Sequence, residues 1–251
     1  MIDIAEVSPW LWVVAPLVVI AGYTVFGLSG FGSTAITVPI LAHFLPVTFL
    51  VPLMVVLDMV SATLIGTRGR EHVSKAELKN LAPFILVGFV LGATVLVGVP
   101  DKWLRLALGL FTLGMGLYSV VSPSIHGAIS RFWCIPAGIA GGAIATIFGA
   151  GGPIYATYLA GRLHDKNEVR STVSTLISVS AFIRAIIYAV SGLLLHLTIL
   201  LGGLILSPFA WLGISIGRRI HVRLTHEQMK RVVGGILVFT GASLLLRMAL
   251  Q

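Results

Sequence analysis

The sequence predicts an all-α polytopic membrane protein. It reads as two inverted-topology repeats, each a glycine-broken helical hairpin followed by three transmembrane helices, about eight hydrophobic segments in all. Three observations carry this expectation. The 251-residue chain is 57% hydrophobic and 10% charged, with mean hydropathy +1.02, far outside the usage of water-soluble domains. Two glycine-rich stretches interrupt the apolar runs at matched places, 21–41 (AGYTVFGLSGFGSTAITVPIL) and 140–160 (AGGAIATIFGAGGPIYATYLA). The basic residues alternate between matched loops of the two halves.

The chain opens with an apolar segment at 10–28. The preceding MIDIAEVSPW has no basic n-region, so the segment is expected to stay in the membrane and not to leave as a signal peptide. After the first glycine-rich stretch come apolar segments at about 48–66, 81–99 and 104–121; after the second, at about 171–194, 197–217 and 232–250. Lengths near 20 residues without strict alternation predict helices, not barrel strands. At an offset of 119 residues, Ala21 matches Ala140, Gly22 matches Gly141, Gly30 matches Gly149 and Gly32 matches Gly151, while Ser33 faces Gly152. The expected division is a first repeat at 1–125 and a second, inverted repeat at 126–251, together one transmembrane domain.

Loop charge sets orientation. Loop 67–80 carries Arg68, Arg70, Lys75 and Lys79, and its counterpart 195–198 carries no Lys or Arg. Loop 162–170 carries Arg162, Lys166 and Arg170, and its counterpart 43–47 carries none. Loop 218–231 carries Arg218, Arg219, Arg223, Lys230 and Arg231, against Lys102 alone in 100–103. With the basic loops in the cytoplasm, both termini lie on the non-cytoplasmic side, and 10–44 and 132–161 must each enter the membrane and return.

A broken helix in hydrocarbon must be buried in protein or line a polar cavity. Its freed N–H groups and the positive end of the following half-helix bind anions without a charged side chain. Ser29, Gly30, Gly32, Ser33 and Thr34 in the first break, and Gly149, Gly151, Gly152 and Pro153 in the second, are the candidate substrate-binding residues. Proline suits the opening turn of a half-helix. The spaced pairs Gly88/Gly92, Gly138/Gly142 and Gly213/Gly217 read instead as close helix packing.

These paired elements, G30-F-G-S-T-A-I-T-V-P39 and G149-A-G-G-P-I, resemble those of the sulfite exporter TauE/SafE family, also called the 4-toluene sulfonate uptake permease (TSUP) family. Ser33 stands where the family often has another glycine, and Tyr158 where it has a later proline. The resemblance covers nearly the whole chain. It implies an anion carrier of the bacterial inner (plasma) membrane, acting on sulfite, sulfonates or other small sulfur-containing or organic anions.

Two ionisable residues lie deep in apolar segments, where charge is costly and points to function. Arg184 shares a helical face with Ser180, Tyr188 and Ser191 and is a candidate anion contact or ion-pair member. Asp58 is the candidate coupling carboxylate or the partner of Arg184. His43 and His164 follow the two hairpins at matched positions, and the five tryptophans read as interfacial anchors.

The reading is a secondary transporter of a small anion, with proton coupling through Asp58 as one option. An anion channel and a non-transporting membrane assembly subunit remain as alternatives. The partners are the anion and the lipid bilayer, and the small-residue faces admit a homodimer. No cofactor or metal is expected, because Cys134 is the lone cysteine and no Cys/His cluster has ligand spacing. The net charge of +8 follows the loops and forms no basic stripe with interleaved aromatics, which argues against nucleic acid. Walker A, HExxH and nucleophile-elbow motifs are absent, so the chain is not expected to be an enzyme.

Overall fold

The computed structural model describes residues 9–65, 72–121, 129–219 and 226–250. They form ten α-helices, with no strand among the described residues. In chain order these are α1 (Leu11–Ser29), α2 (Ser33–Leu41), α3 (Val47–Ile65), α4 (Lys75–Gly98) and α5 (Asp101–Val121). A 3-10 turn (Arg131–Trp133) then leads into α6 (Cys134–Phe148), α7 (Gly152–Arg162), α8 (Lys166–Val190), α9 (Leu197–Arg219) and α10 (His226–Ala249). Among the described residues, six stretches are long and apolar enough to cross a bilayer: α1, α4, α5, the 131–148 stretch, α8 and α9. The apolar parts of α3 and α10 are shorter, Val47–Thr63 and Val233–Ala249.

The long helices pair through glycines. Gly213 of α9 lies against the Ile20 carbonyl and Tyr23 of α1, and Gly217 against Thr24 and Gly27, so the two helices run parallel. Gly138 of α6 meets Phe84 of α4, Gly142 meets Ile85 and Gly88, and Gly92 meets Ala143 and Thr146. That pair is parallel too. A Cβ at Gly213 would sit 2.5 Å from the Ile20 carbonyl oxygen, so only glycine permits this approach. The four-residue glycine spacings are therefore packing seams, as the sequence suggests. In contrast, α5 and α10 are antiparallel, with Gly109 facing Gly241 and Leu245, and Gly116 facing Gly234 and Val238. Each hairpin's long arm, α1 or α6, thus packs on a helix from the other half of the chain.

The outer surface is apolar. Val90, Leu117, Ile186, Val190, Leu204 and Phe239 are exposed, a surface suited to hydrocarbon and not to water. All five tryptophans are exposed. Trp10, Trp12, Trp103 and Trp133 sit at or beside helix starts, where an aromatic belt belongs, whereas Trp211 lies within α9.

The short arms are fastened at their far ends. At the end of α2, Arg105 of α5 donates to the Ala42 carbonyl (2.9 Å) and pairs with Asp101, whose other oxygen accepts from the Val47 N–H (2.7 Å). At the end of α7, Arg162 pairs with Glu77 of α4 (3.0 Å), which also accepts from Tyr158 (2.8 Å). The loop positions Arg68, Arg70 and Arg223, together with the terminal stretch 1–8, lie outside the described residues.

Candidate functional site

The first break begins where α1 ends on Gly30. Its φ of +84° is left-handed, and its N–H bonds back to the Phe26 carbonyl (2.8 Å). Such a turn closes a helix and favours glycine, which has no Cβ to clash. Ser29 supports the turn: its hydroxyl donates to the Val25 carbonyl (2.8 Å) and accepts from the Phe31 N–H (3.3 Å). The second break repeats the device. α6 ends on Gly149 with φ +73°, its N–H on the Ala145 carbonyl (2.9 Å). From each turn the chain doubles back into a short helix with no side-chain cap at its start. Ser33 opens α2 against Gly22, near the middle of α1, and Gly151 precedes α7 against Gly141, at the middle of α6. The uncapped starts of α2 and α7 therefore lie halfway along their long arms.

The two breaks touch. Thr34 packs on Gly149, and Phe31 packs on Gly152. Between them is a cavity of about 20 Å³, bordered by Gly32, Ser33 and Thr34 from one side and Gly149–Pro153 from the other. Phe26, Tyr155, Ile177, Ser180 and Arg184 complete much of the wall. That volume admits a water-sized body, so a larger anion requires the surrounding helices to part.

Arg184 ties this region together. It is 2% exposed. One terminal nitrogen donates to the Ala145 carbonyl (2.8 Å) and the other to Asp58 Oδ2 (3.2 Å). Asp58 Oδ1 accepts from the Tyr23 hydroxyl (2.9 Å). Tyr188, one turn further along α8, donates to the Thr146 carbonyl. Tyr188 thus satisfies a carbonyl of the last turn of α6, and Arg184 adds a second bond to the Ala145 carbonyl, which already accepts from Gly149, at a helix end where a positive charge also suits the dipole. Among the described residues, two buried donors beside the cavity have no partner, Arg184 Nε and Tyr155 Oη.

Of the residues singled out from the sequence, Gly32, Ser33, Thr34, Gly149, Gly151, Gly152, Pro153 and Arg184 border the cavity. Ser29 and Gly30 stand behind the lining and shape the turn, with the Gly30 carbonyl accepting from Ser174 (3.2 Å). Asp58 is one bond removed, through Arg184. Sequence reading missed Tyr155 and Tyr23. Tyr155 lies in the first turn after Pro153, and that position was its only signal. Tyr23 reads as one more aromatic in an apolar helix. His43 is bonded to the Pro39 and Ile40 carbonyls and to Ser243, away from the cavity.

A helical bundle with an apolar exterior, and broken helices meeting around a small polar space inside it, defines an integral membrane protein of the transporter class. Residues 14–244 match the sulfite exporter TauE/SafE family, and the chain belongs to that family of membrane transport proteins. It is also similar to a probable inner membrane transporter protein, TsaS, of Comamonas testosteroni. The two share 23% identity over 193 residues, 76% of this chain and 81% of that protein. No solved structure matches the chain.

Proposed function

We propose that the chain is a secondary transporter of a small anion, held between the starts of α2 and α7. The observation that carries this is the meeting of two uncapped half-helix starts with two unpartnered buried donors, Arg184 Nε and Tyr155 Oη, at one cavity. Half-helix starts attract negative charge, and discontinuous helices meeting inside the membrane are a transporter's way of building such a site. The family name supports sulfite as cargo, and the similarity to a probable inner membrane transporter supports transport; the half-helix starts and their donors suit a sulfonate or a related small sulfur-containing or organic anion equally. The bacterial inner membrane is the corresponding location.

The same reading makes 1–125 and 126–251 inverted repeats with both termini on the non-cytoplasmic side. Its support is the pairing of α1 with α9 and α6 with α4, the shared left-handed glycine at offset 119, and the alternation of loop charge. A cavity that admits only a water-sized body favours a carrier in a closed state over an open channel. Asp58, engaged by Arg184 and Tyr23, serves first as the counter-ion that holds Arg184 in place. Flux with and without a pH gradient, in wild type and Asp58→Asn, tests whether it also couples protons.

Proteoliposomes loaded with sulfite or with alkyl and aryl sulfonates provide the main test. The expected result is saturable flux, abolished by Gly151→Leu and reduced by Tyr155→Phe in protein shown to be folded by gel filtration. Normal flux from a folded Gly151→Leu variant would overturn the proposal.

A further inference from the structure

The side chains around the cavity are rich in donors. Ser33, Thr34, Ser180, Tyr155 and Arg184 border it beside the two uncapped helix starts, and no carboxylate is among its described lining residues. A helix start by itself does not make a binding site. Here it is joined by two donors in residues 2% and 1% exposed, Arg184 and Tyr155, whose Nε and Oη have no protein acceptor. Buried donors are costly when unmade, and two at one cavity call for an oxygen-rich ligand.

The charges are as informative as the donors. Arg184 is not a free cation. It is paired with Asp58 at 3.2 Å, with side chains 2% and 5% exposed, so the pair contributes no net charge. What remains is the positive potential of the two half-helix starts, each equivalent to about half an elementary charge. The site therefore offers about one positive charge.

On the reading of this cavity as an anion site, we infer that it selects singly charged oxyanions, such as sulfonates and hydrogen sulfite, over doubly charged ones, such as sulfate and the sulfite dianion. Asp58 sets this preference. It touches no ligand and acts through Arg184. A dianion brings a second negative charge that nothing in the site balances, near the Asp58 carboxylate and away from water, where unbalanced charge is strongly felt.

Methanesulfonate and sulfate have similar shapes and differ by one charge, which makes them the probes. Their binding to the purified full chain is measured by calorimetry at mildly alkaline pH. Wild type is expected to bind methanesulfonate about tenfold or more tightly than sulfate. Asp58→Asn leaves Arg184 unbalanced and is expected to lower that ratio about tenfold or invert it. The double variant Asp58→Asn/Arg184→Gln is neutral again and is expected to restore the preference for methanesulfonate with weaker binding of both. A merely structural role for Asp58 would weaken both anions alike and leave the ratio unmoved, and that result overturns the inference. Equal binding, or a preference for sulfate, in wild type overturns it too while leaving the anion site standing. Binding of neither anion by folded wild type overturns the site itself. Should Asp58→Asn fail to fold, the wild-type ratio still decides whether the site prefers singly charged anions.

Discussion

In the first break, Gly32 turns the chain with a φ of +97°, and the nearest atom to a Cβ placed there is Val25 Cγ1 at 3.8 Å. In the second, the matched Gly151 has an ordinary helical φ of −70°. A Cβ there would lie 2.5 Å from the Gly141 carbonyl oxygen and 2.7 Å from the Ala145 Cβ. The first glycine is required by backbone conformation and the second by space. The partners differ as well. α8 holds the first break through the exposed Arg170, reaching the Gly27 carbonyl at 3.4 Å, and the half-buried Ser174, on the Gly30 carbonyl. It holds the second through the buried Arg184 and Tyr188. Identical residues at matched positions can thus be kept for different physical reasons, and the second break is the more deeply anchored of the two.

The largest expected effect separates the two anchors. Arg184→Leu strands Asp58 inside the protein and is expected to cost about 3–5 kcal/mol, whereas Arg170→Leu loses one long hydrogen bond, about 1 kcal/mol. Thermal unfolding of the purified protein in detergent measures both, and similar losses would erase the distinction. Next come the glycines. Gly32→Ala is expected to cost about 1–2 kcal/mol from left-handed strain, and Gly32→Asn less, because asparagine tolerates that conformation. Gly151→Ala is expected to cost about 1–3 kcal/mol from overpacking, with Gly151→Asn worse. The same unfolding experiment should therefore rank alanine and asparagine in opposite orders at the two positions. A shared order would show that one cause governs both. The smallest effect on stability belongs to Tyr155→Phe. Its hydroxyl has no protein partner, so stability should move by no more than about 0.5 kcal/mol while anion affinity falls about fivefold to tenfold. Tyr188→Phe removes a bond to the second break and should cost about 1 kcal/mol of stability.

Much of this architecture is legible in the sequence because hydrocarbon demands long uninterrupted apolar helices. The expected segment at 48–66 is α3 at Val47–Ile65, and that at 104–121 is α5 at Asp101–Val121. Helix ends extend further where basic loops wind into the membrane-crossing helices, as at Lys75 in α4 and Arg219 in α9. The turn glycines Gly30 and Gly149 are legible because few other residues adopt their φ. Which helices pack together is not legible. The glycines of α9 and α4 announce close neighbours, but nothing local names α1 and α6 as those neighbours. Arg184 and Asp58 stand out because charge is rare at such depth. Tyr23 and Tyr155 do not, because tyrosine serves equally well as apolar filler and as a donor.

On the proposed function, the cavity between the two breaks receives the anion. The most direct test of this is site-specific labelling. Ser180 borders the cavity, and Ser207 of α9 is not among its lining residues. Each is replaced by cysteine in a Cys134→Ser background, and the rate of reaction with a small membrane-permeant thiol reagent is followed as methanesulfonate is added. Saturable protection is expected at Ser180→Cys and an unchanged rate at Ser207→Cys. A Ser180→Cys rate indifferent to the anion, in protein that still transports it, would place the binding site elsewhere.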